Sequence, residues 1–389
     1  MRKLGKLSTT LIVFYMLGLV SLLADAVYEG GRSVSGAYLK ELNAPAYGAA
    51  LVGLGEFVGH LFRLLSGYLA TIYQSSGIIW GFTIAGYALT AFGIPMLAFA
   101  PAWGYAVALY IAERIGKGLR APTRDVILAE VSEDMGLGKG FGVHELLDQV
   151  GAFLGPLMVA FAVAYFGYRW AFILLLVPGV ASLALVVFSY RLYPTLRSVS
   201  MKKPTSTLRR IDKAYWIYVV ASGFLALGFM HWAIASYYLK SMNIASDYEI
   251  GLIYAAAMLV DAAVAVPLGI LYDKAGFKVF IALPLLSFAF LSLIFALPAL
   301  PRFFIYVLAL PWGIVMCSEE SVMRAALARI VEPSNRPIAY GVFSVTFGAF
   351  WAVGGYIYTT LLSTPTIALS YGLASNMVSL VLYLYLMSK

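Results

Sequence analysis

The chain has 389 residues, of which 62% are hydrophobic and only 12% charged, with a formal net charge of +8. A soluble domain is about 45–50% apolar and about 25% charged, so the composition excludes a soluble enzyme or nucleic-acid-binding module. It implies an all-α polytopic membrane protein whose first partner is the lipid bilayer.

A membrane span needs about 20 largely apolar residues. Apolar runs, bounded by turn and charge signals, predict twelve spans: 9–39, 46–73, 77–99, 103–121, 140–167, 169–192, 213–240, 247–272, 277–299, 302–324, 337–362 and 366–387. The first follows the basic stretch Met1–Lys6 and contains Ala24-Asp25-Ala26, so it imitates a secretory leader with its cleavage site. The charge inside that site argues for retention as a helix. The lone cysteine, Cys317, has no partner for an intrachain disulfide and is expected as a small buried residue.

The connection 193–212 is polar and basic and carries two prolines. It divides the chain into a six-helix bundle over 1–192, a linker over 193–212 and a second bundle over 213–389. An even span count puts both termini on one side. If that side is the cytoplasm, its segments hold 20 of the 27 Lys and Arg, against four outside (Lys40, Arg169, Lys240, Arg302). The positive-inside rule therefore puts both ends in the cytoplasm and the protein in the cell membrane.

The halves repeat. Phe141-Gly142-Val143 and Gly155 recur at an offset of 199 as Tyr340-Gly341-Val342 and Gly354. Gly67-Tyr68-Leu69 recurs as Gly269-Ile270-Leu271, and Arg124 as Arg324. Two parallel six-helix repeats form a transporter plan with the substrate site at mid-membrane between the halves.

Charges within spans are costly, about 2.5–3.5 kcal/mol each at a helix centre, and therefore mark pairing or function. Here they form stripes, each on one helical face. The first span carries Asp25, Glu29 and Arg32. The second carries Glu56, His60, Arg63 and Gly67. The fourth carries Glu113, Lys117, Arg120 and Arg124, with Arg114 alongside. The fifth carries His144, Asp148, Gly151 and Gly155, with Glu145 beside them. His144 and Asp148 are expected at roughly the depth of Arg114 and Lys117. Gly151 and Gly155 should give close helix packing, and Pro156 a local bend. The second half has Asp261, Glu319, Glu320 and Arg324. Its counterparts of His144, Glu145 and Asp148 are Phe343, Ser344 and Phe347. The first half is thus read as carrying protons and the second as lining an apolar, aromatic wall. Its wall candidates, by helix position, are Tyr237, Tyr238, Tyr254, Trp312, Phe347 and Trp351; His231 reads as a member of an aromatic cluster.

Residues 269–278, GILYDKAGFK, resemble the loop 8–9 signature of the major facilitator superfamily. Gly269, Leu271, Asp273, Lys274, Gly276 and Lys278 match, and Phe277 departs from it. Residues 114–118, RIGKG, are similar to that family's helix-4 motif. Residues 151–156, GAFLGP, resemble its antiporter signature in helix 5. The loop 2–3 copy departs, with Thr71 in place of the family's Asp. The resemblance implies the major facilitator fold of two pseudo-symmetric six-helix bundles, in the drug:proton antiporter-like branch. It also implies that Arg114 senses carboxylate protonation.

Two other motifs fail. HELLD at 144–148 lacks the second histidine of a zinc hydrolase, and GKG at 116–118 lacks the rest of a phosphate loop. Neither a metal cofactor nor ATP drive is expected.

The reading that follows is a secondary active transporter, not an enzyme, that exchanges protons for a small amphipathic organic solute. Asp25, Glu29, Glu56, Arg114, His144 and Asp148 are its proton-coupling candidates. Arg32, His60, Arg63, Glu113 and Asp261 join the aromatic wall as solute-lining candidates. Two alternatives stay open: organic-anion uptake or exchange through Arg32, Arg63 and Arg114, and divalent-metal export through Asp25, Glu29, Glu56, His60, His144 and Asp148. A monomer is expected.

Overall fold

The computed structural model describes residues 2–73, 75–133, 136–196, 212–332 and 336–388, with side chains from residue 9 onward except at 137, 138 and 337. Most of the expected linker, residues 197–211, lies outside the described residues. Within them, every regular element is helical: α1 (Arg2–Ser33), α2 (Ser35–Glu41), α3 (Ala46–Tyr73), α4 (Ser76–Gly93), α5 (Trp103–Val131), α6 (Leu137–Leu174), α7 (Leu176–Leu192), α8 (Lys213–Gly228), α9 (Trp232–Ser241), α10 (Asp247–Ala275), α11 (Ala282–Ala296), α12 (Phe304–Val307), α13 (Ala309–Glu320), α14 (Val322–Ile330), α15 (Arg336–Leu361) and α16 (Pro365–Met387). Helices close their backbone hydrogen bonds internally, which is the condition a lipid environment imposes. Nine stretches among the described residues are long and apolar enough to cross a membrane; two of them are 54 and 53 residues long.

Several expected spans are interrupted. The first breaks at Val34 between α1 and α2. The seventh breaks at 229–231 between α8 and α9, where the His231 side chain accepts from Ala233 N–H and caps α9. The tenth is cut at Leu308 and at Ser321. In α6 the helix runs through Pro156, and Gly167, whose φ of 76° suits glycine, falls at the boundary between the fifth and sixth expected spans.

The chain forms two compact units. The first is Met1–Ser33 with Val58–Lys203; the second is Val34–Phe57 with Pro204–Lys389. In the first, α1 packs along α6 and α7, and α4 along α5 and α7. In the second, α8 packs along α15 and α16, and α11 along α13 and α16. These are equivalent schemes. Gly155 of α6 is so close to α1 that an added Cβ would overlap the Ala26 carbonyl oxygen; Gly354 of α15 meets the Leu227 carbonyl of α8 in the same way. Small residues let helix backbones approach where lipid supplies no hydrophobic drive.

Candidate functional site

The first unit gathers its charges around α5. Glu113 is about 1% exposed. It accepts from Arg114 Nε at 2.7 Å and from the Thr90 hydroxyl at 3.1 Å, with Arg120 Nη1 at 3.7 Å. Arg120 is also buried, donates to Thr90, and places its guanidinium 4.8 Å from the Tyr87 ring centre. Its other nitrogen reaches Asp25 of α1 at 4.0 Å.

Tyr28 of α1 organises the rest of this cluster. Arg114 lies 3.6 Å and Lys117 4.0 Å from the ring centre. Arg32 donates to the Tyr28 hydroxyl at 2.8 Å and pairs with Glu29 at 3.7 Å. Cations over an aromatic face are stabilised by the ring quadrupole, most strongly where water is excluded. Tyr28 was not among the expected site residues, although it lies on the Asp25–Glu29–Arg32 face. The only signal for it was its place in that stripe.

A second cluster meets on α6. Asp148 Oδ2 lies 3.7 Å from both Arg124 and His144 Nε2. His144 Nε2 is 3.0 Å from the Ser21 hydroxyl, which is 3.3 Å from the Tyr87 hydroxyl. Arg124 also binds Asp125 at 2.8 Å. His144 and Asp148 therefore meet Arg124, ten residues further along α5 than Arg114; the expected level with Arg114 and Lys117 is corrected. The side-chain reach of α5 between α1 and α6 sets this register, and one helix's spacing does not contain it. Glu145 turns outward, where Gln149 donates to it at 3.3 Å. Asp25 interacts electrostatically with Lys117, Arg120, Arg124 and Glu29, and Asp148 with Asp25. The two clusters are thus electrically continuous.

The α3 stripe is divided. His60 and Arg63 are half-buried in the first unit. Glu56 belongs to the second, where its Oε1 lies 4.0 Å from His231 Nε2. His231 packs edge-on against Trp351 with ring centres 4.8 Å apart, as an aromatic-cluster histidine should.

The second unit replaces charge with rings. Phe343 stacks on Tyr218 at 5.8 Å and contacts Phe347, which contacts Trp351. Tyr254 and Trp312 are fully buried, 5.3 Å apart and both against Trp232. Tyr238 packs on Phe295, and the Tyr237 hydroxyl donates to Ala44 O at 2.9 Å. Asp261 is buried on α10. The motif residues Gly269, Asp273, Lys274 and Lys278 surround the end of α10, where Gly276 takes a left-handed φ of 59°. Thr71 back-bonds to Gly67 O at 2.8 Å, within its own helix. Among the described residues, no group of three or more His, Cys, Asp or Glu could hold a metal ion.

The model of the Major Facilitator Superfamily matches residues 7–355. An uncharacterized protein of Mycobacterium tuberculosis (strain ATCC 25618 / H37Rv) is 38% identical over 347 residues, covering 87% of this chain and 83% of that protein. An uncharacterized MFS-type transporter of Methanocaldococcus jannaschii is 24% identical over 387 residues, covering 96% of this chain and 94% of that protein. Among solved structures, a mutant of the nucleoside transporter NupG has a TM-score of 0.76 at 14% identity, covering 97% of this chain and 99% of that one. A mutant of the peptide transporter POT has a TM-score of 0.74 at 14% identity, covering 96% and 93%.

Proposed function

The chain belongs to the major facilitator superfamily, as a membrane transporter and not an enzyme, and from that premise we propose that it is a proton-coupled antiporter. It exports a small amphipathic organic solute by alternating access, with twelve spans, both termini cytoplasmic, and the cell membrane as its site. The observation that carries this reading is the looseness of two carboxylate pairs. Asp25 stands 4.0 Å from Arg120, and Asp148 stands 3.7 Å from Arg124. Glu113, by contrast, is hydrogen-bonded to Arg114 at 2.7 Å. A loosely paired carboxylate at low dielectric exchanges protons, because burial favours its neutral form and the neighbouring cation its charged form. Protonation then releases an arginine on α5, and the released charge biases the helices toward another arrangement.

A second reading has one observation in its favour. Arg32, Arg114 and Lys117 converge on Tyr28, and such a group could receive a carboxylate or phosphate. Protonation of Asp25 would then favour anion binding and make the transport a co-transport. The divalent-metal reading has no comparable support, since its six donors form no such group among the described residues.

Proteoliposomes loaded with a pH dye test both readings. Lipophilic cations, organic anions and divalent metals are added outside in turn. Proton movement driven by a lipophilic cation, and lost in Asp25→Asn and Asp148→Asn, is the expected result. Solute uptake with no proton movement, or wild-type pH dependence in both variants, sinks the proposal.

A further inference from the structure

We propose that Ser21 is the positioning residue for proton exchange at Asp148, its one hydroxyl hydrogen serving the Asp148 carboxylate in one protonation state and the His144 imidazole in the other. The inference rests on the proton-coupled reading and assigns a part of it to a residue without charge.

Ser21 is 1% exposed on α1, and side chains from three other helices converge on its hydroxyl. Tyr87 of α4 lies at 3.3 Å, Arg124 of α5 at 3.4 Å and His144 of α6 at 3.0 Å. Two of these three partners, Arg124 and His144, also lie 3.7 Å from Asp148 Oδ2, and the Ser21 hydroxyl acts on the Asp148 carboxylate. A serine hydroxyl has one hydrogen and two lone pairs. Arg124 only donates, so it takes a lone pair. With the Tyr87 hydroxyl donating into the other lone pair and His144 in the tautomer whose Nε2 accepts, the single hydrogen is contested by Asp148 and His144 Nε2. Both contestants carry a further buried polar atom, Asp148 Oδ1 and His144 Nδ1, with no hydrogen-bond partner among the described residues. Burying an unsatisfied polar atom is costly. A group of side chains that leaves two such atoms is suited to gaining and losing a proton.

With Asp148 ionised, Ser21 donates to it and Arg124 stands by it. A proton arriving on Oδ1 turns the carboxylate into a carboxyl. The Ser21 hydrogen then rotates to His144 Nε2, and Arg124 is left with Asp125. The proton departs from the same oxygen, and no other bond changes. The charged and titratable groups that act on this cluster are Asp25 on α1, Tyr87 on α4, Arg124 and Asp125 on α5 and, from its outward position, Glu145 on α6.

Infrared titration of the reconstituted full-length protein tests this without knowledge of the cargo. The carboxyl C=O band lost in Asp148→Asn identifies Asp148. Removing the hydroxyl in Ser21→Ala should move the midpoint of that band upward by about one pH unit, the scale of one hydrogen bond to a charged group. Ser21→Thr, which keeps the hydroxyl, should restore the wild-type midpoint. A packing role would affect both substitutions through the melting temperature and leave the midpoint unmoved. An unchanged midpoint in Ser21→Ala, or no titrating band assignable to Asp148, overturns the inference. Absence of proton movement in wild-type proteoliposomes, with the band shift present, overturns the transport reading alone.

Discussion

The Arg114 guanidinium lies 3.6 Å from the centre of the Tyr28 ring, with Lys117 on the same ring at 4.0 Å. One tyrosine thus fixes two cations of α5 against α1 while its hydroxyl accepts from Arg32. Tyr28→Phe removes the Arg32 bond and keeps the ring; Tyr28→Leu removes both. A desolvated cation–π contact is worth about 2 kcal/mol. Gradient-driven transport should fall about tenfold or more in Tyr28→Leu, and only a few-fold in Tyr28→Phe. Equal losses in the two variants would assign the effect to the hydroxyl alone.

Glu113 is the counter-ion of two buried arginines. Glu113→Gln leaves Arg114 and Arg120 under-compensated, and an uncompensated buried charge costs about 3–5 kcal/mol. The melting temperature in detergent should drop sharply. Adding Arg114→Met to Glu113→Gln removes one of the two cations that share Glu113 and should recover part of the loss. A double variant less stable than the single would show that Arg114 is held by Tyr28 and not by Glu113.

The helical face of Asp25, Glu29 and Arg32 is legible in the sequence, because i, i+4, i+7 spacing fixes a face whatever surrounds it. Which arginine each carboxylate meets is not, because that depends on how far neighbouring helices slide. Asp148 therefore met Arg124 and not Arg114. Tyr28 and Ser21 were missed for a related reason: in a chain with 27 tyrosines, only the neighbouring helices distinguish a platform from ordinary packing. Glu56 and His231 are 175 residues apart in sequence, and no periodicity links them. The repeat was more informative. It paired Gly155 with Gly354, and both meet a carbonyl of the equivalent helix.

That pairing makes a symmetrical prediction. Gly155→Val and Gly354→Val each force a side chain into a neighbouring backbone carbonyl, at Ala26 and Leu227 respectively. Overpacking of a well-packed core costs about 1–3 kcal/mol, and a backbone obstacle yields less than a side chain. Both variants should lose folded yield in detergent chromatography. Gly142→Ala, where an added Cβ meets nothing within 4 Å, should match wild type. A well-folded Gly354→Val would mean that α8 and α15 can separate without loss.

His231 has two separable roles. Its Nδ1 accepts from Ala233 N–H at 3.1 Å and caps α9, while its Nε2 faces Glu56 at 4.0 Å. A ring whose Nδ1 accepts carries its proton on Nε2, so it presents a donor to the carboxylate. Asparagine is a good cap but is too short to hold both contacts. His231→Asn should therefore melt close to wild type, whereas His231→Leu should lose about 1 kcal/mol with the cap. Both should lose the Glu56 contact, and with it most gradient-driven transport if Glu56 takes part in coupling. Glu56→Gln in the same assay should show the same transport defect without the change in melting. Wild-type transport in His231→Asn would leave the histidine with capping alone, and would place the coupling with Asp25 and Asp148 in the first unit.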